Sequence, residues 1–523
     1  MTVGRESGCG PGGGKVAIRR LAWPMLVAVV WCVVAVTVFP LRTAFRIGAD
    51  EAFEFTKGRL YSDGHRLYSE VWNDQPPLHT MLLGTLFRWT GPTALAGRLL
   101  TVLFTAGLLV SFFALVERRE GPGTAAVATL FLFLLPPFLE LGLSCMLEMP
   151  AFALGMMATF FWVRGWERGT WADFAGAGVL AGAAWMTKLT AGLLLPAMAL
   201  EGLRLARGRW REARGRVVWW MVCWLAGLAA VVGLVWALHP AMTVTQLLGV
   251  HFAGRTREMA GMGGGTRFSW MTFWFLGYAG VPALLGVGLR WARGCSGTVL
   301  LPFTWLATVT VAHLVNRPYW AFYQLHFVFP LAWLAAVGLK EVAGLAWSAL
   351  AGGRSGVAVV RSLGWTALLA GLLALAGVHG GWALVRQVHE LRSVPSVEEM
   401  HMVGTLRSYG DRIRWAYSDD AMYVFQAGYK VPPELGVLSF KRRHGAGFTG
   451  SDVLAVLRRY EPEALILPPY EDYSPAWREF LGRYRVVDAD ERMALFVVRG
   501  LAGGESGRAD RGGVSGSAAG GRD

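Results

Sequence analysis

Charge is the scarcest ingredient of this chain: only 16% of its 523 residues are Asp, Glu, Lys or Arg, against 54% hydrophobic residues and 24 tryptophans. So little polar surface cannot cover an ordinary soluble globule of this length. Cysteine is scarce as well. Cys9, Cys32, Cys145, Cys223 and Cys295 form no Cys-x-x-Cys pair and no metal-ligand spacing, which excludes a disulfide framework and a zinc module. No other metal-ligand cluster is visible, and no cofactor is implied. No Gly-rich phosphate loop stands between a strand and a helix, and the apolar spans set out below exclude a soluble nucleotide-sugar enzyme. Two related halves, a common mark of secondary transporters, are missing too.

What is present is apolar length. Windows of roughly 20 apolar residues recur, the length a helix rising about 1.5 Å per residue needs to cross a hydrocarbon core about 30 Å thick. They predict about eleven spans, near residues 21–41, 97–116, 123–141, 147–163, 174–188, 190–203, 217–238, 271–289, 298–315, 321–339 and 363–386. The fifth and sixth are short, and Lys188 and Thr190 interrupt them, which predicts a broken or re-entrant pair. Lys15, Arg19 and Arg20 precede a first run too long for a signal peptide, so an uncleaved helix is expected after a disordered stub, residues 1–20.

The net charge of +14 sits in short clusters between these windows, a topology signal and not a nucleic-acid footprint. Arg118-Arg119, Arg164 to Arg168, the six arginines of 204–216, Arg290 to Arg293 and Lys340 to Arg361 alternate onto one side, the cytoplasmic one by the positive-inside rule. The loop 42–96, the turn Glu140 to Glu148, the loop 239–270, the turn Asn316 to Trp320 and everything after 387 fall on the other. The expected fold is an all-α polytopic membrane protein over residues 21–390. A small α/β domain follows at 391–500, where short apolar strands alternate with helical stretches and Ser396 and Glu399 have capping-box spacing. Residues 501–523 hold almost nothing to bury and read as a disordered tail.

The loop 42–96 carries the densest polar pattern: Asp50-Glu51, then Gly64, Tyr68, Trp72, Asp74, Pro76, Pro77 and Leu78, then Ala96-Gly97-Arg98-Leu99 opening the next span. Residues 51–60 and 78–89 are amphipathic and are expected along the membrane interface, with Phe53, Phe55, Trp72 and Trp89 as aromatic anchors. Taken together these motifs resemble the GT-C superfamily of membrane glycosyltransferases, in particular bacterial proteins similar to protein O-mannosyltransferases and to the lipid A aminoarabinose transferase. The resemblance is closest over residues 20–340.

The resemblance implies inverting transfer of a sugar from a polyprenyl-phosphate donor to a cell-envelope acceptor (lipid, glycan or protein). The active site would face the periplasm of a bacterial inner membrane. A carboxylate would deprotonate the acceptor while basic residues hold the departing phosphate. Asp50 matches the catalytic carboxylate of the first loop, with Glu51 beside it. The alternative, which could coexist with that role, is that Asp50 caps the helix starting at Glu51. Glu148 matches a second acidic position, although a glutamate at a helix start is also favoured by the dipole alone.

Arg98, Lys188 and Arg317 are the candidate contacts for the carrier phosphate. For Lys188 the alternative is a lysine that snorkels to the interface, avoiding about 2.5–3.5 kcal/mol at the bilayer centre. Tyr319 and Tyr323 are candidate substrate contacts or members of an interfacial aromatic belt, and His326 is expected to pack between helices. Asp74 either shapes the loop ahead of Pro76-Pro77 or touches a sugar hydroxyl. Gly261 to Gly265, beside Arg255, Arg257 and Arg267, reads as a lid or as a plain linker. The rival from another class is a transporter or flippase of lipid-linked sugars, against which stands the gathering of charge at one membrane face.

Overall fold

The computed structural model describes residues 13–249, 267–269, 275, 277–351, 356–469 and 473–502. The glycine run 261–265 with Arg255 and Arg257, most of the stub and most of the tail lie outside them. The chain is mostly helical. Five helices are long and apolar enough to cross a membrane, Ala94–Glu120, Leu189–Trp210, Ala213–Leu238, Ala321–Ala351 and Leu363–Arg392. Ala22–Val38, Pro122–Leu134 and Leu300–Val315 are shorter apolar helices. The remaining expected windows fall on Glu148–Arg168, Trp171–Trp185 and Gly280–Ala292.

After α1 (Gly13–Val38), two short helices, α2 (Glu51–Ser62) and α3 (Leu78–Thr90), form a hairpin. Their close approach depends on glycine: a Cβ on Gly84 would lie 2.6 Å from the Tyr61 ring and 2.9 Å from the Gly58 carbonyl oxygen. Thr93 caps α4 (Ala94–Glu120) by accepting a hydrogen bond from the Ala96 amide. The expected span 123–141 is divided at Pro136-Pro137 into α5 (Pro122–Leu134) and α6 (Phe138–Leu143). α7 (Glu148–Arg168) and α8 (Trp171–Trp185) follow, and α8 ends just before Lys188, where the backbone is extended and leads into a 3-10 turn, Leu189–Leu194. The interruption read at Lys188 is therefore real. The arginine-rich stretch 204–216 is helical, broken only by the non-helical Ala213.

Ion pairs gather the basic turns at one end of the bundle. Arg119 binds Glu201, Arg290 and Lys340 bind Glu120, and Arg290 and Arg293 bind Glu341. These charges come from the ends of Ala94–Glu120 and Gly280–Ala292 and from within the helices Leu195–Leu238 and Leu325–Ala351, so the stretch from Lys340 expected as a loop is helical as far as Ala351.

The C-terminal region carries a four-stranded sheet, β1 (Ala416–Ser418), β2 (Ala464–Leu467), β3 (Tyr484–Ala489) and β4 (Ala494–Val498), ordered β1-β2-β4-β3. β1 and β2 run parallel, and the other pairs are antiparallel. Ser396 and Glu399 do exchange the two capping bonds, at 3.0 and 3.3 Å, but within a turn, and the helix starts only at His401. This domain shares one core with the first-loop hairpin. Phe55, Leu83 and Phe87 pack with Tyr417, Phe425 and Leu465, and the Phe55 and Phe425 rings stack at 4.8 Å. Phe55, expected as an interfacial anchor, is thus fully buried, whereas Trp89 is 82% exposed. The C-terminal domain covers the face of α2 that amphipathicity alone directs to lipid.

Candidate active site

Asp50 and Glu51 are neighbours with opposite fates. The Glu51 carboxylate is fully buried and takes two bonds from Arg98, Nε to Oε1 at 2.9 Å and Nη2 to Oε2 at 2.8 Å. It also accepts from the amides of Ile47 at 2.9 Å and Cys145 at 3.0 Å. The remaining Arg98 nitrogen, Nη1, donates to the carbonyls of Leu41 and Ala44, each at 2.9 Å. The pair joins the loop after α1 and the starts of α2 and α4 to the turn before α7. Neither residue lines the cavity described below, so neither side chain faces it. Each is saturated by the other and by backbone.

Asp50 stands at the start of α2 yet makes no side-chain cap, and among the described residues its carboxylate has no hydrogen bond or ion pair. Simple capping is thereby set aside. It opens instead into a polar cavity of about 490 Å³, with Glu54, Lys57, Asp74, Gln75, Glu148, Lys188, Tyr323 and Lys441 among the lining residues. Burial and then the Glu148 charge push the Asp50 carboxyl up to about 6, against the opposing pull of Lys188 and Lys441.

The other charged side chains of the cavity come in opposed pairs. The Lys188 ammonium, delivered by the break after α8, is ion-paired with Glu148 at the start of α7. It also lies 5.0 Å from the Phe322 ring centroid and 5.7 Å from that of Tyr323. Lys57 binds Glu54 at 2.7 Å, with His79 Nδ1 at 3.4 Å from the other Glu54 oxygen. Burial alone would raise the Glu54 carboxyl, but Lys57 and His79 outweigh it and hold it below the usual range. Lys441 approaches Asp74 at 3.9 Å. The loop bearing Asp74 is shaped by Asn73 and Tyr68, both of which donate to the Gln75 carbonyl at 2.8 Å.

A second, mostly apolar cavity of about 510 Å³ adjoins the first. Trp185, Leu189, Leu193, Leu248, Val311 and Val315 line it, and it shares Gln75, Lys188 and Tyr323 with the polar one. Lys188 therefore stands where polar and apolar spaces meet, the position required to hold an anionic head whose tail is hydrocarbon.

The fold brings Asp50, Asp74, Glu148, Lys188 and Tyr323 together and leaves other candidates outside. Arg317 is exposed and lines neither cavity. Tyr319 is buried against His313 and Phe268, in neither cavity, because its turn folds back onto the helices. His326 is buried with Nδ1 2.9 Å from His313 Nε2, a packing arrangement as expected. Three charged residues escaped sequence reasoning. Glu54 and Lys57 follow Asp50 at four and seven residues, a helical spacing that places all three on one face and offered a signal. Lys441 offered none.

Residues 74–236 match the family model for dolichyl-phosphate-mannose-protein mannosyltransferase, a stretch that holds Glu148 and Lys188 but not Asp50. No curated protein matches the sequence. Among solved structures, ArnT from Cupriavidus metallidurans bound to undecaprenyl phosphate is similar at 17% identity and a TM-score of 0.59, covering 94% of this chain and 100% of that one. The apo state of the same protein gives a TM-score of 0.61 at 17% identity, over 93% of this chain and 99% of that one. The oligosaccharyltransferase of Archaeoglobus fulgidus in its apo form is similar at 11% identity and a TM-score of 0.55, over 85% of this chain and 69% of that one. All of these proteins are GT-C superfamily glycosyltransferases, and the fold of this chain is theirs, as the Asp50-Glu51 and Gly64 to Leu78 motifs suggested.

Proposed function

We propose that this protein is a membrane glycosyltransferase that moves a sugar from a polyprenyl-phosphate donor to an envelope acceptor (lipid, glycan or protein) on the periplasmic face. The observation that carries this reading is the pair of adjoining cavities, one lined by many charged side chains around Asp50 and one whose lining holds Lys188 among mainly apolar residues, that meet at Lys188. A sugar phosphate on a prenyl chain is a ligand with just these two halves. The ArnT structure bound to undecaprenyl phosphate lends further support.

The chemistry follows from the charges. The acceptor hydroxyl attacks the anomeric carbon from the side opposite the phosphate, Asp50 takes its proton, and the carbon–oxygen bond to phosphate breaks with inversion. The bonding pair leaves on the phosphate oxygen, whose growing charge is met by Lys188. Glu148 holds Lys188 in place and orients substrate. In the free site Glu148 also neutralises the ammonium, so an arriving phosphate must compete for it.

The test is transfer by purified protein in nanodiscs, supplied with undecaprenyl-phosphate-linked sugars and envelope lipid or glycan acceptors. Release of undecaprenyl phosphate together with an inverted glycosidic product is expected. Lys188→Gln should bind undecaprenyl phosphate about 10-fold or more weakly, the scale of one lost charge-assisted hydrogen bond. Translocation of the intact donor without bond cleavage would establish a flippase instead.

A further inference from the structure

The C-terminal domain supplies one wall of the polar cavity, through Val437, Ser439, Phe440 and Lys441. That wall is pinned. Arg442, the residue after Lys441, donates to the carbonyl of Val437 at 2.9 Å and to that of Glu434. Its guanidinium lies 4.0 Å from the Phe448 ring centroid and 5.4 Å from that of Trp72 in the first loop. Gly436 sits so close to α2 that a Cβ there would lie 2.5 Å from Leu60 and 3.2 Å from Thr56. Lys441 is thus held in register with the helix that begins beside Asp50.

The gap between Lys441 Nζ and Asp74 Oδ2, 3.9 Å, exceeds hydrogen-bonding distance, and both side chains are 15% exposed. An ammonium and a carboxylate held side by side suit a hydroxyl placed against both, which accepts from the one and donates to the other at once. A bare phosphate satisfies only the lysine and is repelled by Asp74. Lys188 faces both cavities, whereas Lys441 and Asp74 face only the polar one. With the carrier phosphate at Lys188, the group that reaches Asp74 and Lys441 is the sugar attached to it. Phe53, Trp320 and Phe440 in the same lining offer apolar surface for the C–H face of a sugar ring.

We infer that Asp74 and Lys441, from the first outer loop and the C-terminal domain, form a hydroxyl-binding subsite that selects the sugar on the donor. The C-terminal domain is then a specificity element. This rests on the glycosyltransferase reading and adds to it a residue and a domain role.

The test compares, for the full-length protein in nanodiscs, the affinity for undecaprenyl phosphate with that for undecaprenyl phosphate bearing each of a panel of hexoses and pentoses. Wild type should prefer at least one loaded carrier over the bare one. Lys441→Met should cut that preference about tenfold, the scale of one hydrogen bond to a charged group, and leave bare-carrier affinity unchanged. Lys441→Arg should keep most of the preference. Asp74→Asn should lower it independently, which serves if Lys441→Met does not fold. An unchanged preference in both Lys441→Met and Asp74→Asn overturns the inference alone. Equal weakening of bare and loaded carrier in Lys441→Met overturns it as well, because Lys441 is then a phosphate ligand. A wild type that shows no preference and transfers no sugar removes the parent reading, and this inference with it.

Discussion

At the scale of single residues, the adjacent acids Asp50 and Glu51 separate rate from stability. Asp50 has no hydrogen-bond or ion-pair partner among the described residues, so Asp50→Asn removes a proton acceptor and little else. Turnover should fall by about 10²–10⁴, the usual worth of a general base. The Asp50 carboxyl is raised on folding to about 6, which makes its ionised form a cost to the folded state above that pH. The asparagine variant should therefore melt no lower than wild type at pH 8, and the difference should shrink as pH falls from about 6 and be gone once it is below the ordinary aspartate range. Wild-type turnover should itself decline below about pH 6, roughly tenfold per unit, as the base protonates. A profile flat down to pH 4.5 would remove Asp50 from the proton transfer. Glu51→Gln should behave in the opposite way. It leaves Arg98 buried without its charge partner, a loss of about 3–5 kcal/mol, visible as a lowered melting temperature before any kinetic effect is measured.

At the scale of elements, the site depends on two local departures from regular helix. The first is the extended backbone at Lys188. Its ammonium lies in the cavity because α8 has already stopped, and the Leu78 amide donates to the Met186 carbonyl at 3.0 Å to tie the break to the start of α3. The second is the glycine contact of the α2–α3 hairpin. Gly84→Ala would press a methyl group against the Tyr61 ring and the Gly58 carbonyl, and backbone cannot yield as a side chain can. Overpacking of this kind costs about 1–3 kcal/mol. Since α2 follows Asp50 and α3 follows Asp74, turnover should drop further than stability alone explains. A Gly84→Ala protein with wild-type melting and wild-type turnover would show that the hairpin spacing does not position the site.

At the scale of the whole molecule, the ion-paired basic turns lie at one end of the bundle, and the expected outer turns bring Asp50, Glu148 and Lys188 together in one cavity. If the basic end is cytoplasmic, a cysteine placed at exposed Ser451 should react with an impermeant thiol reagent in intact spheroplasts, and one at exposed Gly208 should react only after lysis. The reverse labelling would turn the protein over and put the cavity in the cytoplasm. Much of this was legible beforehand. Apolar length announces a membrane helix, since a bilayer leaves backbone polar groups no other partner, and Lys188 inside an apolar run announces a break. A carboxylate pair in a long polar loop between spans pointed to the loop whose Asp50 the fold gathers with Glu148 and Lys188 in one cavity. The sequence by itself determined the membrane class, the alternation of faces and the loop that bears Asp50. Only the tertiary structure decided which charges are spent on one another. Glu51 and Arg98 are consumed because folding places them 2.8 Å apart and fully buried, Arg317 is left outside, and Lys441 arrives from a distant domain by packing. Pairing depends on distances across the fold, and the order of residues along a chain carries none of those distances.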